Sequence, residues 1–402
     1  EAIEIPKASR PGSGGGLTSV DGNIVLLNHA GQFYYISSDS APRPLQIQAP
    51  ENGFPDYLKV SKADEFSGYQ HRPAFFRYND ILFTEFSNRR FLLASHTNFH
   101  EDKLCYTTTI SRLEIEKPTS SNPLEWSFKS SDWTTLFETR PCLPLKTQWR
   151  AIEGHMAGGR IVSAGDGTLY LANGDYAWDG IYGPISPKPG SKVPLSQDPD
   201  ADYGKVLSIG ILGGEVEQIS RGHRNVQGIT LDKRGKIWTV EHGMRGGDEL
   251  NLVSEGLNFG WPLESYGTSY AGTAISGVKP YGVHDAFTRP VFAFLPSIAT
   301  SGLETIEGFH EAWNGDLIVS ALSGLKLVRV RIREGRAVFA EDIHTGFRTR
   351  YVHQHSDGRL VLWTDDRRVI FLSPSKGGQG FKLVKYLIEH EMDLSKTQQE
   401  KL

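Results

Sequence analysis

The sequence predicts an all-β fold assembled from repeated short strands, and three observations point there. Strand-like runs follow Gly, Asp or Asn turn signals at six places: DGNIVLL from Asp21, RRFLLAS from Arg89, DGTLYLA from Asp166, RGKIWTV from Arg234, NGDLIVSAL from Asn314 and DGRLVLWTD from Asp357. These units recur at irregular spacings of roughly 40 to 80 residues, as blades of a few strands with unequal insertions would. Composition agrees, because 43 glycines and 11% aromatic residues beside 38% hydrophobic residues suit short strands and tight turns better than long helices. A ring of blades and a pair of β-sandwiches both produce this pattern.

Taken in chain order, residues 1–16 read as an N-terminal tail in which the GSGGG run from Gly12 to Gly16 is a flexible joint. Residues 17–380 form one closed β unit, a size at which all-β folds keep a single core. Within it, the Pro/Gly/Ser segment from Gly180 to Pro199 and the Gly/Ser/Tyr segment from Gly267 to Gly282 read as long loops that shape a binding face. Residues 381–402, beginning FKLVKYLIEHEMDL, change character to a short helix or a disordered tail. The net charge of -4 offers no broad basic field for nucleic acid, and no apolar run reaches the length of a membrane-spanning helix. Cys105 and Cys142 are the two cysteines, without a C-x-x-C pair for zinc or haem.

The segment GHRNVQGITLDKRGKIWTVEHGMRGGDELNLVSEGLNFGWPLESYG, Gly222 to Gly267, resembles the central signature of the soluble sugar dehydrogenases that use pyrroloquinoline quinone (PQQ). A second block, GHMAGGRIVSAGDGTLYLANGD from Gly154 to Asp175, is similar to the segment carrying that family's catalytic base, and FLPSIATSGL and GFRTRYV follow in the family's order. The resemblance runs roughly from Phe91 to Asp365 and implies a six-bladed β-propeller with PQQ and calcium at one end of its channel. It implies oxidation of a sugar or related alcohol by hydride transfer to PQQ, with His155 as general base, a role an imidazole suits near neutral pH. By the same matching, Arg224 and Asn225 contact the quinone, and Arg348 and Arg350 bind its carboxylates through guanidinium forks. The backbone carbonyls of Gly243 and Met244 hold calcium, a hard ion that prefers oxygen. The alternation of Arg348 and Arg350 along a strand puts both on one face, where paired cations need an anionic partner. Tyr176 and Trp178, in the loop after Asp175, are the candidates for contacting the sugar.

The chain also departs from the family. Ser323 stands where a Lys or Arg is usual, and the early GGLLG segment is replaced in the stretch 57–80, where Tyr69, Gln70, His71 and Arg72 are candidate substitutes. The alternative is therefore a non-catalytic binding or scaffold propeller of the same lineage that has lost PQQ, and a further rival is a lyase or hydrolase using His155 without a redox cofactor. A periplasmic or secreted location, implied by the resemblance, leads to a disulfide between Cys105 and Cys142 joining neighbouring strand units. It also implies an external electron acceptor, a c-type cytochrome being one candidate, toward which Met392 to Leu402 would lead as a linker helix. Asp248 and Glu249 after Gly246 and Gly247 read as turn-fixing groups, and the pairs His96 with His100 and His353 with His355 as ordinary strand histidines.

Overall fold

A computed structural model describes residues 2–10, 12–63, 66, 71–115, 121–147, 154–275 and 284–374. The tail 381–402, with the linker expected there, lies outside the described residues, as do Tyr69 and Gln70. Each of the six sequence units forms the second strand of a separate antiparallel sheet, so the sheets are six blades. Blade 1 runs from the inner strand Gly15–Val20 through Asn23–Asn28 and Phe33–Ser37 to Ser40–Pro44. The inner strands of blades 2 to 6 are Tyr78–Phe86, Gly158–Ser163, Val226–Leu231, Thr300–Thr305 and Thr349–Gln354. Each inner strand contacts the next, and the sixth contacts the first, which closes the ring.

The second strands were the legible ones because both of their faces are buried, giving unbroken apolar runs where a half-exposed strand would alternate. In Asn23–Asn28, Val25 and Leu27 pack toward blade 2 while Ile24 and Leu26 pack toward blade 6. In Leu360–Thr364, Leu360 and Leu362 face blade 5 while Val361 and Trp363 face blade 1. The core is thus six apolar layers, one between each pair of neighbouring blades.

Two expectations change. Residues 1–16 are not a plain tail: Ala2–Glu4 pairs with Arg368–Leu372 and completes blade 6, so that one sheet holds both ends of the propeller together. Gly15 and Gly16 belong to the first inner strand, where an added Cβ would meet the Leu27 carbonyl and the Asp80 carboxylate. The Cys105–Cys142 disulfide forms, with Cα atoms 5.6 Å apart, but it lies within blade 2. There Leu143–Pro144 pairs with Tyr106 and Cys105.

Bulges near one end of the inner strands organise the axis. In blades 2 to 6 the ladder between first and second strand shifts register after its first pair, leaving one residue per blade out of step. Arg160, on the inner strand of blade 3, gathers the carbonyls so displaced. Its guanidinium donates to Asn79 O (3.1 Å), Gln227 O (3.0 Å), Ser301 O (3.4 Å) and Arg350 O (3.5 Å), and to Gly15 O (2.8 Å) in blade 1. One side chain therefore reaches all five other blades. Asp80 sits 3.4 Å away as its counter-ion, and the Tyr351 ring lies 4.5 Å from the guanidinium carbon.

Candidate functional site

Strand register defines the mouth. The starts of the inner strands pair with the ends of the second strands (Gly15 with Asn28, Tyr78 with His96, Gly158 with Asn173, Val226 with Glu241, Thr300 with Ala321, Thr349 with Thr364), so the adjoining loops gather at one end. His155, Arg224, Asn225, Gly243, Met244, Ser323, Arg348 and Arg350 all lie in these loops or strand starts.

Arg224 is the most elaborately held. Its main-chain N donates to Glu241 Oε2 at 2.6 Å, and Nη1 donates to the carbonyls of Gly243 (2.6 Å) and His242 (3.2 Å). Nη2 donates to the Tyr270 hydroxyl at 3.2 Å, and the guanidinium lies 5.2 Å from the Trp261 ring. Its Nε is buried with no hydrogen-bond partner among the described residues. Beneath it the Trp261 indole donates to Asp175 at 2.7 Å, and burial together with Asp179 pushes the Asp175 carboxyl up to about 8. Trp261 thus supports the cation. Asn225 is buried and accepts from Gln227 Nε2 at 2.8 Å. His242, which sequence reasoning passed over, sits beside Arg224 with Nε2 2.5 Å from Thr300 O. Its pKa is held below the ordinary imidazole value by burial, and Arg224 and Arg350 add to the depression.

Several expected roles are altered by geometry. Arg224 engages the Gly243 carbonyl expected to hold calcium, so a divalent cation there would stand against a guanidinium; Met244 is buried beside Trp261. Among the described residues no three His, Cys, Asp or Glu side chains cluster as a metal site. Asp248 fixes the turn, accepting from Gly243 N (2.9 Å), Ser297 Oγ (2.8 Å), Ile298 N (2.9 Å) and Ala299 N (2.7 Å). Arg348 and Arg350 find their anionic partner within blade 6: Asp365 accepts from Arg350 at 2.8 and 2.9 Å and from Arg348 at 3.1 Å. Tyr176 and Trp178 do not face a sugar. The Tyr176 hydroxyl is 2.6 Å from Thr108 Oγ1, the Trp178 indole donates to Tyr106, and both side chains are buried in the core, with Tyr176 and Ala177 in the left-handed region.

His155 is part-exposed, its ring centroid 4.7 Å from that of Phe75, and it precedes Met156, itself in the left-handed region at φ 57°. Ser323 is exposed on the opposite side of the ring, its N–H donating to Ile298 O at 3.1 Å. Sequence reasoning missed Arg77, which precedes the inner strand of blade 2. It donates to Asn79 Oδ1 and to Ser13 O, both at 3.2 Å. Burial pushes its pKa down to about 9, with Arg350 and Arg160 adding like-charge repulsion. The signal that could have found it is a lone Arg directly before a strand of an already recognised blade. The mouth is therefore lined by Arg77, Arg224, Arg348 and Arg350, with the positive charge only partly compensated by Asp365.

The family model described as Glucose / Sorbosone dehydrogenase matches residues 80–372. The chain is similar to an uncharacterized protein of Synechocystis, 29% identical over 290 residues, covering 68% of this chain and 67% of that protein. It is also similar to an aldose sugar dehydrogenase of Escherichia coli, 30% identical over 256 residues, covering 59% of this chain and 62% of the relative, a little under two thirds of its length. The PQQ-bound form of an aldose sugar dehydrogenase from Streptomyces coelicolor has the same fold, with a TM-score of 0.60 at 20% identity over 95% of this chain and 96% of that one.

Proposed function

This chain belongs to the glucose/sorbosone dehydrogenase family, and from that premise we propose that it oxidises a sugar or related alcohol using PQQ at the mouth of the propeller. The observation that carries the proposal is the arginine-lined mouth, where Arg224 keeps an orphan buried N–H and Arg77 is buried without a carboxylate partner among the described residues. A planar polycarboxylate fits such a floor, because guanidinium groups pair with carboxylates and stack on flat rings. When bound, PQQ supplies the two-electron acceptor. The chain's own residues then have three tasks. Arg77 and Arg224 hold negative charge, Trp261 and Asp175 fix the height of Arg224, and His155 takes the proton of the sugar hydroxyl at an imidazole nitrogen. No step runs through calcium, since Gly243 O is engaged by Arg224. The electrons leave to an external acceptor, and the disulfide suits a periplasmic or secreted location. Among the described residues no helix is long and apolar enough to cross a membrane.

One observation favours the scaffold alternative: Asp365 already engages both Arg348 and Arg350, the two cations expected to grip the cofactor. Turnover decides between them. With PQQ added, sugar-dependent dye reduction is expected from the wild type, and His155→Ala should lose about 10²- to 10⁴-fold while binding PQQ within a few-fold of normal. Activity retained by His155→Ala means the base is elsewhere, and a wild type inert toward every aldose and polyol leaves the scaffold reading.

A further inference from the structure

Residues 5–10 and 12–14 form a strap between the strand that closes blade 6 and the first inner strand, and reach the mouth at Ser13. It is pinned along its length. Arg367 donates to Ile5 O, Arg10 and His29 exchange contacts at 3.1 and 3.0 Å, and Ser13 accepts from Arg77 through its carbonyl and from Arg350 through its hydroxyl. Beneath the strap lies a cavity of about 340 Å³, lined by Trp363 and Ile5 among its apolar residues and by Arg350 among its charged ones. That volume accommodates a small ring-bearing ligand.

The charges around the cavity do not balance. Arg350 is paired with Asp365, and Arg367 with Glu4. Lys7 and Arg10 also line it and have no carboxylate partner among the described residues. Arg10 is the stronger anomaly: its guanidinium lies 3.6 Å from the Phe54 ring centroid, donates to one neutral carbonyl, and leaves Nη1 buried without a hydrogen-bond partner among the described residues. A largely buried guanidinium held only by a ring face and a carbonyl is stabilised strongly by an incoming anion. Burial already lowers its pKa to about 10.

We propose that the cavity under the strap is a carboxylate-binding subsite, in which Arg10 and Lys7 supply the positive charge that Ser323 does not. Its existence is independent of the quinone reading; only the identification of the carboxylate as one borne by PQQ rests on it. Ser13 links mouth and cavity, since it bonds Arg77 and Arg350 at the mouth and, like Arg350, lines the cavity. A carboxylated ring entering from the mouth would pass Ser13, lie along Trp363 and meet Arg10.

The test titrates the whole chain with pyridine-2,4-dicarboxylate and, separately, with PQQ, comparing wild type, Arg10→Gln and Lys7→Gln by calorimetry. Lys7 is exposed, so its variant reports even where Arg10→Gln folds poorly. An affinity at least tenfold weaker in Arg10→Gln and about threefold weaker in Lys7→Gln is expected for both ligands. Loss for the dicarboxylate alone assigns the subsite to a separate carboxylate ligand. Dicarboxylate binding that depends on Arg10 in a protein that ignores PQQ keeps the subsite and removes the quinone reading. Affinities for both ligands unchanged in both variants overturn the proposal.

Discussion

Arg160 and Arg77 are buried arginines on neighbouring blades, and the fold treats them in opposite ways. Arg160 lies in the shaft, where bulges have turned a carbonyl inward from each of several blades, and its N–H groups are spread over five carbonyls and the Asp80 carboxylate. Arg77 lies at the mouth with two neutral acceptors, and burial depresses its pKa. The first cation completes the ring. The second is a cost to the unliganded fold that an anion would offset, which is how binding sites commonly trade stability for function.

The sharpest way to break this contrast is Arg160→Met, which strands inward carbonyls from five blades and leaves Asp80 buried without its partner. A loss of about 3–5 kcal/mol in chemical denaturation is expected. If Arg77→Met costs as much, the distinction between shaft and mouth collapses.

A smaller effect is expected from His96, buried at the mouth end of blade 2 with Nε2 2.9 Å from Ser111 Oγ, its pKa pushed down to about 4 by burial. An imidazole with a depressed pKa stays neutral in the fold while the unfolded chain takes up a proton below about pH 6.5, so stability is lost as pH falls from 6.5 toward 4, by up to about 3 kcal/mol. Denaturation midpoints at pH 7 and 4.5 should converge in His96→Gln; an unchanged acid slope assigns the loss to other groups.

Arg77→Met should instead stabilise the unliganded protein by about 1 kcal/mol, because it removes a buried cation repelled by Arg350 and Arg160. A clear drop in melting temperature contradicts that. Smallest is Ser323→Lys, which restores a cation at an exposed position and should tighten PQQ binding several-fold without altering the melting temperature. No gain in affinity means that position 323 does not reach the ligand.

The same contrast explains what the sequence made legible. Second strands such as DGTLYLA were readable because burial on two faces writes an unbroken apolar run. Inner strands such as YNDILFTEF and TSGLET were not, since bulges, glycines and inward polar groups interrupt the pattern. The closing strand was passed over although Ile3 and Ile5 flank Glu4, because three residues are too few to register alone. Near the mouth, Arg224 and Asn225 were singled out through a continuous motif. Arg77 and Arg10 were missed because their positions at the mouth depend on ring closure, which brings together residues more than 300 positions apart, as Ser13 and Arg350 show. Trp178 is buried directly after two left-handed residues, Tyr176 and Ala177, which no residue pattern announces.

The most direct measurement is an equilibrium titration of the folded protein with PQQ, followed by the absorption of the bound quinone, on wild type and Arg77→Met side by side. Saturable binding of one PQQ per wild-type chain is expected, weakened at least tenfold in Arg77→Met even though that variant is expected to be the more stable protein. Equal affinity in the two proteins, or no spectral change in either, would contradict the claim that the mouth's uncompensated cations are built for an anionic quinone.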